Sequence, residues 1–329
     1  MKHLTLDFNE KMYSSNILDF YFQDMAVGVL DIETTGLNPS KNKFILGGLY
    51  NKTEEQVHQF FAETRANEKD ALEAYLNEIY KLDMVITYNG KHFDIPFIEK
   101  RAAAHGLSLK PLPYNLDLYL ILNGHSPVKK FVPNLKQKTV ENYMGLWINR
   151  KDEISGGESV ELYDHYEKSG DLQLEETILL HNSDDIMQLA RLLKIVNKCD
   201  FHRAMYHLGF PAGPLTITKI RTERDHLLIQ GVQRTCNIDY MGFFWKDQPV
   251  ESRFISSDRT FYFKLPLIRQ SGLVIADLDA LGLNTKDFEK YPSYNSGFLV
   301  LEKESERNHM EINHFIRDFI SLFFEMEAI

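Results

Sequence analysis

The sequence predicts an α/β protein: a layered domain with a mixed sheet and flanking helices over residues 1–205, then a small α+β domain over 206–329. Three observations lead there. AVGVLDIET (26–34) is a short apolar run with two strand-like segments close behind it. Helical periodicity then alternates with another short strand. Beyond GFPAGP (209–214), the clearest linker-like stretch, the texture changes to turn-joined strands and one closing amphipathic helix. At 329 residues, two domains are the better expectation.

Taken in order, 26–34, 44–52 and 56–63 read as strands close enough to form an antiparallel meander. Between Glu68 and Leu82, residues Leu72, Tyr75, Leu76, Ile79 and Leu82 fall on one helical face. DMVITYNG (83–90) is a fourth strand ended by Asn-Gly. Phe93–Gly106 reads as a helix, with Pro96 tolerable only in its first turn and Gly106 as a stop. Pro111 and Pro113 break the chain, and NLDLYLIL (115–122) offers a short apolar segment. PNLKQKTVENYMG and SGGESVELYDHYEKSG each suggest a short helix stopped by glycine, and Leu174–Cys199 is the longest helical pattern. In the second domain HLLIQGVQ, DYMGFFW, TFYFKLPLI and GFLVLE read as strands, and EINHFIRDFISLFFEM as the closing helix.

Composition narrows the class. A 43% hydrophobic and 26% charged chain is that of an ordinary globular protein, without a run approaching the roughly 20 apolar residues needed to span a bilayer. No secretory signal is visible in the first 25 residues, and two cysteines, Cys199 and Cys236, give neither a disulfide framework nor a metal cluster. A cytoplasmic location without a membrane partner is the expectation. The net charge of −10 argues against coating nucleic acid by bulk charge. Its distribution is uneven: between Lys91 and Lys151 ten basic residues stand against four acidic ones. A solvated surface accounts for such a cluster; a phosphate-facing side accounts for it too.

Four carboxylates need a chemical explanation. Side chains alternate along a strand, so Val27, Val29, Asp31 and Glu33 share a face, and two acids continue an apolar stripe. An unpaired buried carboxylate costs several kcal/mol, so such placement calls for a cation, and hard oxygen donors suit Mg²⁺ or Mn²⁺. A pair at a strand end that simply reaches solvent is the other reading of Asp-x-Glu. Asp185 lies within the apolar stripe of Ile178, Leu189, Leu192 and Val196, where a helix built only to pack would place Leu or Ala, and His181 is one turn away on the same face. Asp184 points elsewhere and reads as a solvated acid. Asp94 opens a helix, where an acid is favoured on position alone.

These residues also carry a family resemblance. DIETTG (31–36), YNGKHFD (88–94) and HNSDD (181–185) resemble, in order, the three motifs of the DEDD 3′→5′ exonuclease superfamily. Order and spacing are similar to the YprB-like ribonuclease H-like domain family, as are PNLKQKTVE (133–141) and SGGESVELYDHY (155–166). The resemblance covers roughly Met25 to Cys199 and does not reach residues 200–329. It implies a ribonuclease H-like mixed sheet with Asp31, Glu33, Asp94 and Asp185 holding two Mg²⁺ or Mn²⁺ ions and His181 as general base. Thr34, Asn89, Gly90 and Lys91 would bind the substrate strand. One spacing departs from the histidine subtype, His-x-x-x-x-Asp: here the histidine sits at the tyrosine-type spacing, His181-x-x-x-Asp185, as in the YprB-like group.

The resulting expectation is a two-metal 3′→5′ exonuclease acting on single-stranded DNA or DNA ends, with DNA favoured over RNA and a helicase or other repair partner conceivable. Its rivals are an RNA-trimming enzyme of the same fold and a module that binds nucleic acid or protein without cleaving. Trp147, Trp245, Phe243–Trp245 and Phe261–Phe263 read as core rather than as stacking platforms. Asp277 and Asp279 read as turn or helix-start acids.

Overall fold

The computed structural model describes residues 1–151, 154 and 156–327; Ser155, Ala328 and Ile329, which fall within segments read above, lie outside the described residues. The chain divides into two compact units, Met1–Cys199 and Asp200–Ile329.

The first unit is built on a six-stranded mixed sheet of β1 (Lys2–Asp7), β2 (Val27–Thr34), β3 (Phe44–Asn51), β4 (Gln56–Phe61), β5 (Met84–Thr87) and β6 (Tyr114–Asp117), in spatial order β1-β4-β3-β2-β5-β6. β2, β3 and β4 form the expected antiparallel meander, while β5 and β6 run parallel to β2. The helices are α1 (Asn16–Phe22), α2 (Glu68–Ile79), α3 (Asp94–Ala104), α4 (Leu118–His125), α5 (Gln137–Tyr143), α6 (Gly156–Ser169) and α7 (Leu172–Leu192). Leu30 and Ile32 of β2 pack with Leu72, Tyr75, Phe97 and Ile98 of α2 and α3 on one face. On the other, Leu46 and Phe61 meet Tyr163 of α6 and Ile178 of α7. Two neighbouring glycines let both layers approach: a Cβ at Gly47 would lie 2.6 Å from the Tyr75 ring, and one at Gly48 2.1 Å from Asn182 Oδ1.

Some elements differ from expectation. The 115–122 run is divided: Asp117 ends β6 and caps α4, its carboxylate accepting from Leu120 N at 3.3 Å. The long helix starts at Leu172, behind the N-cap Asp171, whose carboxylate accepts from Gln173 N at 2.9 Å after Gly170 turns the chain at φ 67°. Strand β1 and helix α1 were not read from the sequence, whose charged, interrupted N-terminus lacks a strong period.

The second unit begins with a helix, Phe201–Leu208, where the sequence reading ended the first domain at 205. That helix buries Phe201, Ala204 and Met205, and Asn313 of the closing helix (His309–Glu327) donates to the His202 carbonyl at 2.9 Å. Two antiparallel sheets complete the unit, one over residues 210–266 and a smaller one over 268–307. Trp245, Phe261 and Phe263 are core residues: Trp245 and Phe263 pack with Phe319 and Phe323 of the closing helix, and Phe261 with Phe254 and Phe263. Phe243 and Phe244 are exposed, contrary to their reading as core, because the strand stops at Gly242 and releases them into a loop. Among the described residues no helix is long and apolar enough to cross a membrane.

Candidate active site

Three elements of the first unit converge on one cleft of about 660 Å³. The end of β2 supplies Asp31, Glu33 and Thr34; α7 supplies His181 and Asp185; Lys136 and Lys138 enter from the segment containing α5. Asp94, at the first turn of α3, is buried and close enough to act electrostatically on Asp31. Five residues spread over 155 positions of sequence thus face one another because a strand, a helix N-terminus and a crossing helix meet at one end of the sheet.

The electrostatics are those of a crowded acidic site. Burial, followed by the charges of Asp94, Glu33 and Asp185, drives the Asp31 carboxyl well above the usual carboxylate range. Asp94 is pushed up to about 7, chiefly by burial, with Asp117 adding to the rise and the backbone N–H groups of Asp94 and Ile32 opposing it. His181 is buried with Nε2 3.7 Å from both Glu33 Oε1 and Asp185 Oδ2. Asn182 donates to Asp31 Oδ2 at 3.0 Å, which orients that carboxylate from above Gly48.

The donor set is all hard oxygen plus one imidazole, which suits Mg²⁺ or Mn²⁺, and mutual repulsion among the acids is what a cation would relieve. Among the described residues, no three His, Cys, Asp or Glu side chains stand close enough together to grip an ion as they are placed. One acid already has a protein counter-charge: Arg150 Nη2 lies 2.6 Å from Asp185 Oδ1. The same guanidinium pairs with both oxygens of the buried Glu141 at 2.9 Å.

Sequence reasoning did not single out Arg150, nor the groups that brace the site. Gln137 donates to the Asp185 carbonyl at 2.9 Å and to Glu141 at 3.0 Å, docking α5 on α7. Asp117 accepts from the backbone of Asn89 at 2.9 Å and of Lys91 at 3.0 Å, holding the turn where Asn89 adopts φ 65°. Nothing in their local spacing ties Arg150 or Gln137 to the site, since Asp185 lies 35 and 48 positions away. Asn182, between His181 and Asp184 in the third motif, was the most accessible signal.

The four residues expected to contact substrate are placed differently from one another. Thr34 lines the acidic cleft, with its hydroxyl donating to the Gly36 carbonyl at 3.0 Å. Asn89 lines a neighbouring depression that shares Lys136 and Gln137 with the cleft. Gly90 is buried and Lys91 exposed. The amides of Asn89 and Lys91 are already bonded to Asp117, so that turn offers fewer backbone donors than expected. Asp184, read as a solvated acid, is buried and accepts from the backbone N–H of Lys151. Trp147, read as core, is 45% exposed. Both corrections have one cause: the 144–151 segment folds against α7, covering Asp184 and turning Trp147 outward.

Comparison with known proteins defines the class. A family model described as the RNase_H superfamily matches residues 29–197, half of the chain, and the chain belongs to that superfamily. This membership supports nucleic-acid hydrolysis as the general activity. The first unit is similar to two curated proteins. Protein MJ0365 of Methanocaldococcus jannaschii is 27% identical over 187 residues, 53% of this chain and 97% of that one. Protein YprB of Bacillus subtilis is 29% identical over 185 residues, 55% of this chain; the match spans only 42% of YprB. Among solved structures, the family B DNA polymerase from the archaeon Pyrobaculum calidifontis aligns with a TM-score of 0.44 and 19% identity, covering 52% of this chain and 24% of the polymerase.

Proposed function

We propose that the chain is a metal-dependent 3′→5′ exonuclease of the DEDD type, acting on single-stranded nucleic acid or on ends, with DNA preferred. The observation that carries this reading is the convergence of Asp31, Glu33 and Asp185 on one cleft, with Asp94 buried within electrostatic reach of Asp31 and His181 buried between Glu33 and Asp185. The 3′→5′ direction rests on the order of the DIETTG, YNGKHFD and HNSDD motifs, because an acidic cleft alone suits an endonuclease equally well.

In this reading the four carboxylates hold Mg²⁺ or Mn²⁺, two ions at full occupancy. Bound, such ions polarise the scissile phosphate and supply a nucleophile at neutral pH. His181 takes the proton of the attacking water, its ring held in place by packing beneath the cleft. Arg150 fixes Asp185 by one oxygen and leaves the other facing His181. Asn182 holds one oxygen of Asp31. Lys136, exposed at the cleft rim, faces the substrate phosphates, while the Lys138 ammonium beside it donates to the Ile154 carbonyl.

The Arg150–Asp185 pair favours a second reading, a module that holds nucleic acid without cutting it, because it already neutralises one of the four acids. One experiment separates the two. A 5′-labelled single strand, as DNA and as RNA, is incubated with Mn²⁺, Mg²⁺ or EDTA, beside an Asp31→Ala control. A metal-dependent ladder shortening from the 3′ end, absent from the control, is the expected result. Retained binding without cleavage in any metal would overturn the nuclease reading.

A further inference from the structure

Beside the acidic cleft lies a second groove of about 600 Å³ that the proposed chemistry does not use. It is lined by Phe131, Tyr143 and Trp147 with Lys138, which also lines the cleft, so the two adjoin at that residue. The aromatic rings are not core. Phe131 is 67% exposed, Trp147 45% and Tyr143 39%, and Ile148 beside them is also exposed. Large apolar side chains clustered on a surface mark a binding site more often than chance.

Charge identifies the occupant. Residues 129–151 carry six basic residues and one acid within a protein of net charge −10. The acid, Glu141, is buried and neutralised by Arg150. Lys129, Lys130 and Lys136 are exposed, and Lys198 Nζ lies 5.8 Å from the centre of the Tyr143 ring. Exposed aromatic faces interleaved with lysines fit a single-stranded nucleic acid, whose bases stack while its phosphates meet the cations. A duplex hides its base faces, and an apolar protein partner has no use for the lysines.

The groove is also rigidly coupled to the cleft. The Arg150 guanidinium sits 6.0 Å from the centre of the Trp147 ring and, through its pairs with Glu141 and Asp185, ties the aromatic segment to α5 and α7. Tyr88 donates to the Leu135 carbonyl at 2.7 Å, fixing the loop between Phe131 and α5 to the end of β5. A strand whose end lies among the carboxylates can therefore continue past Lys138 onto a preset surface.

The geometry points to the groove of Phe131, Tyr143 and Trp147 as a stacking platform for the bases of a single strand whose end is held in the acidic cleft. This rests on the nuclease reading for which end is held, and on the groove alone for the stacking.

The test uses the full chain carrying Asp31→Asn, so that strands survive, with 5′-fluorescein oligonucleotides read by anisotropy. The probes are a dinucleotide, a 12-mer of thymidine, a 12-mer of uridine, an abasic 12-mer and a 12-base-pair duplex. The thymidine or uridine 12-mer binds far more tightly than the dinucleotide, the abasic strand and the duplex, and it quenches Trp147 fluorescence. Adding Phe131→Ala and Trp147→Ala weakens the 12-mer about 5- to 150-fold per stacked base lost and leaves the abasic strand nearly unchanged. Circular dichroism confirms that these truncations leave the fold intact. Unchanged 12-mer affinity in the double variant, or equal binding of abasic and normal strands, overturns the platform. Wild-type cleavage assayed in parallel separates the two readings: stacking without cleavage removes the nuclease and keeps the platform, and cleavage with no stacking does the reverse.

Discussion

Two charged clusters in the first unit, one around the carboxylate of Glu68 and one in the acidic cleft, are built on opposite rules. Glu68, at the start of α2, is fully buried and surrounded by partners: Arg101 bonds both its oxygens at 2.6 and 2.7 Å, His105 Nε2 lies at 2.8 Å, Lys43 Nζ at 3.3 Å, and the Phe44 N–H donates at 2.9 Å. Burial pushes its carboxyl up, but these bonds outweigh it and hold the carboxyl down at about 2. In the cleft, by contrast, Asp31 faces Glu33, Asp94 and Asp185, and burial and repulsion act in the same direction. A buried acid matched by cations joins elements together; one crowded by other acids is kept at a cost in stability, and function is the reason to keep it.

The comparison can be broken at several points. Asp31→Asn should cut hydrolysis by 10³-fold or more, on the order of what loss of a principal charge-stabilising group produces, in a labelled-strand assay with Mn²⁺. Wild-type cleavage by that variant would remove the cleft from the mechanism. His181→Ala should lower turnover by about 10²–10⁴-fold with the melting profile unchanged, and a lesser effect would leave it a packing residue.

The structural cluster should respond in stability instead. Glu68→Ala leaves Arg101 buried without its partner and should cost about 3–5 kcal/mol in chemical denaturation. Cleavage per folded molecule should persist. Next in size, saturating Mn²⁺ should stabilise the wild type by about 2–3 kcal/mol at 100 times its dissociation constant, and Asp31→Asn should lose most of that gain. Equal stabilisation of both would place the ion elsewhere.

The two clusters also differ in pH dependence, and their signs are opposite. Glu68 has a folded pKa below its ordinary 4.5, so its contribution is full above 4.5 and is lost as pH falls toward about 2. Asp94 has a folded pKa raised from 3.8 to about 7, so its contribution is full below 3.8 and is lost as pH rises through about 7. In metal-free buffer Asp94→Asn should flatten the decline between pH 4 and 7, while Glu68→Gln should flatten the decline below 4.5. Denaturation midpoints across pH for the three proteins would show whether the clusters titrate in these opposite directions.

Much of the first unit was legible in the chain itself. Apolar runs and helical periods are local, so the 26–34 strand, the meander and the 68–82 helix could be read from short apolar segments and helical spacing. Acids on an apolar stripe are also a local signal, and it singled out Asp31, Glu33 and Asp185. Tertiary structure decided what periodicity cannot encode. Whether Asp184 meets water or the Lys151 amide, and whether Trp147 faces the core or solvent, depends on how an irregular segment lies against a distant helix. Arg150 shows the same dependence, because an ion pair between residues 35 positions apart exists only once the chain has folded. Hydrophobic pattern says which side of an element is inside, whereas partners across the fold are chosen by packing.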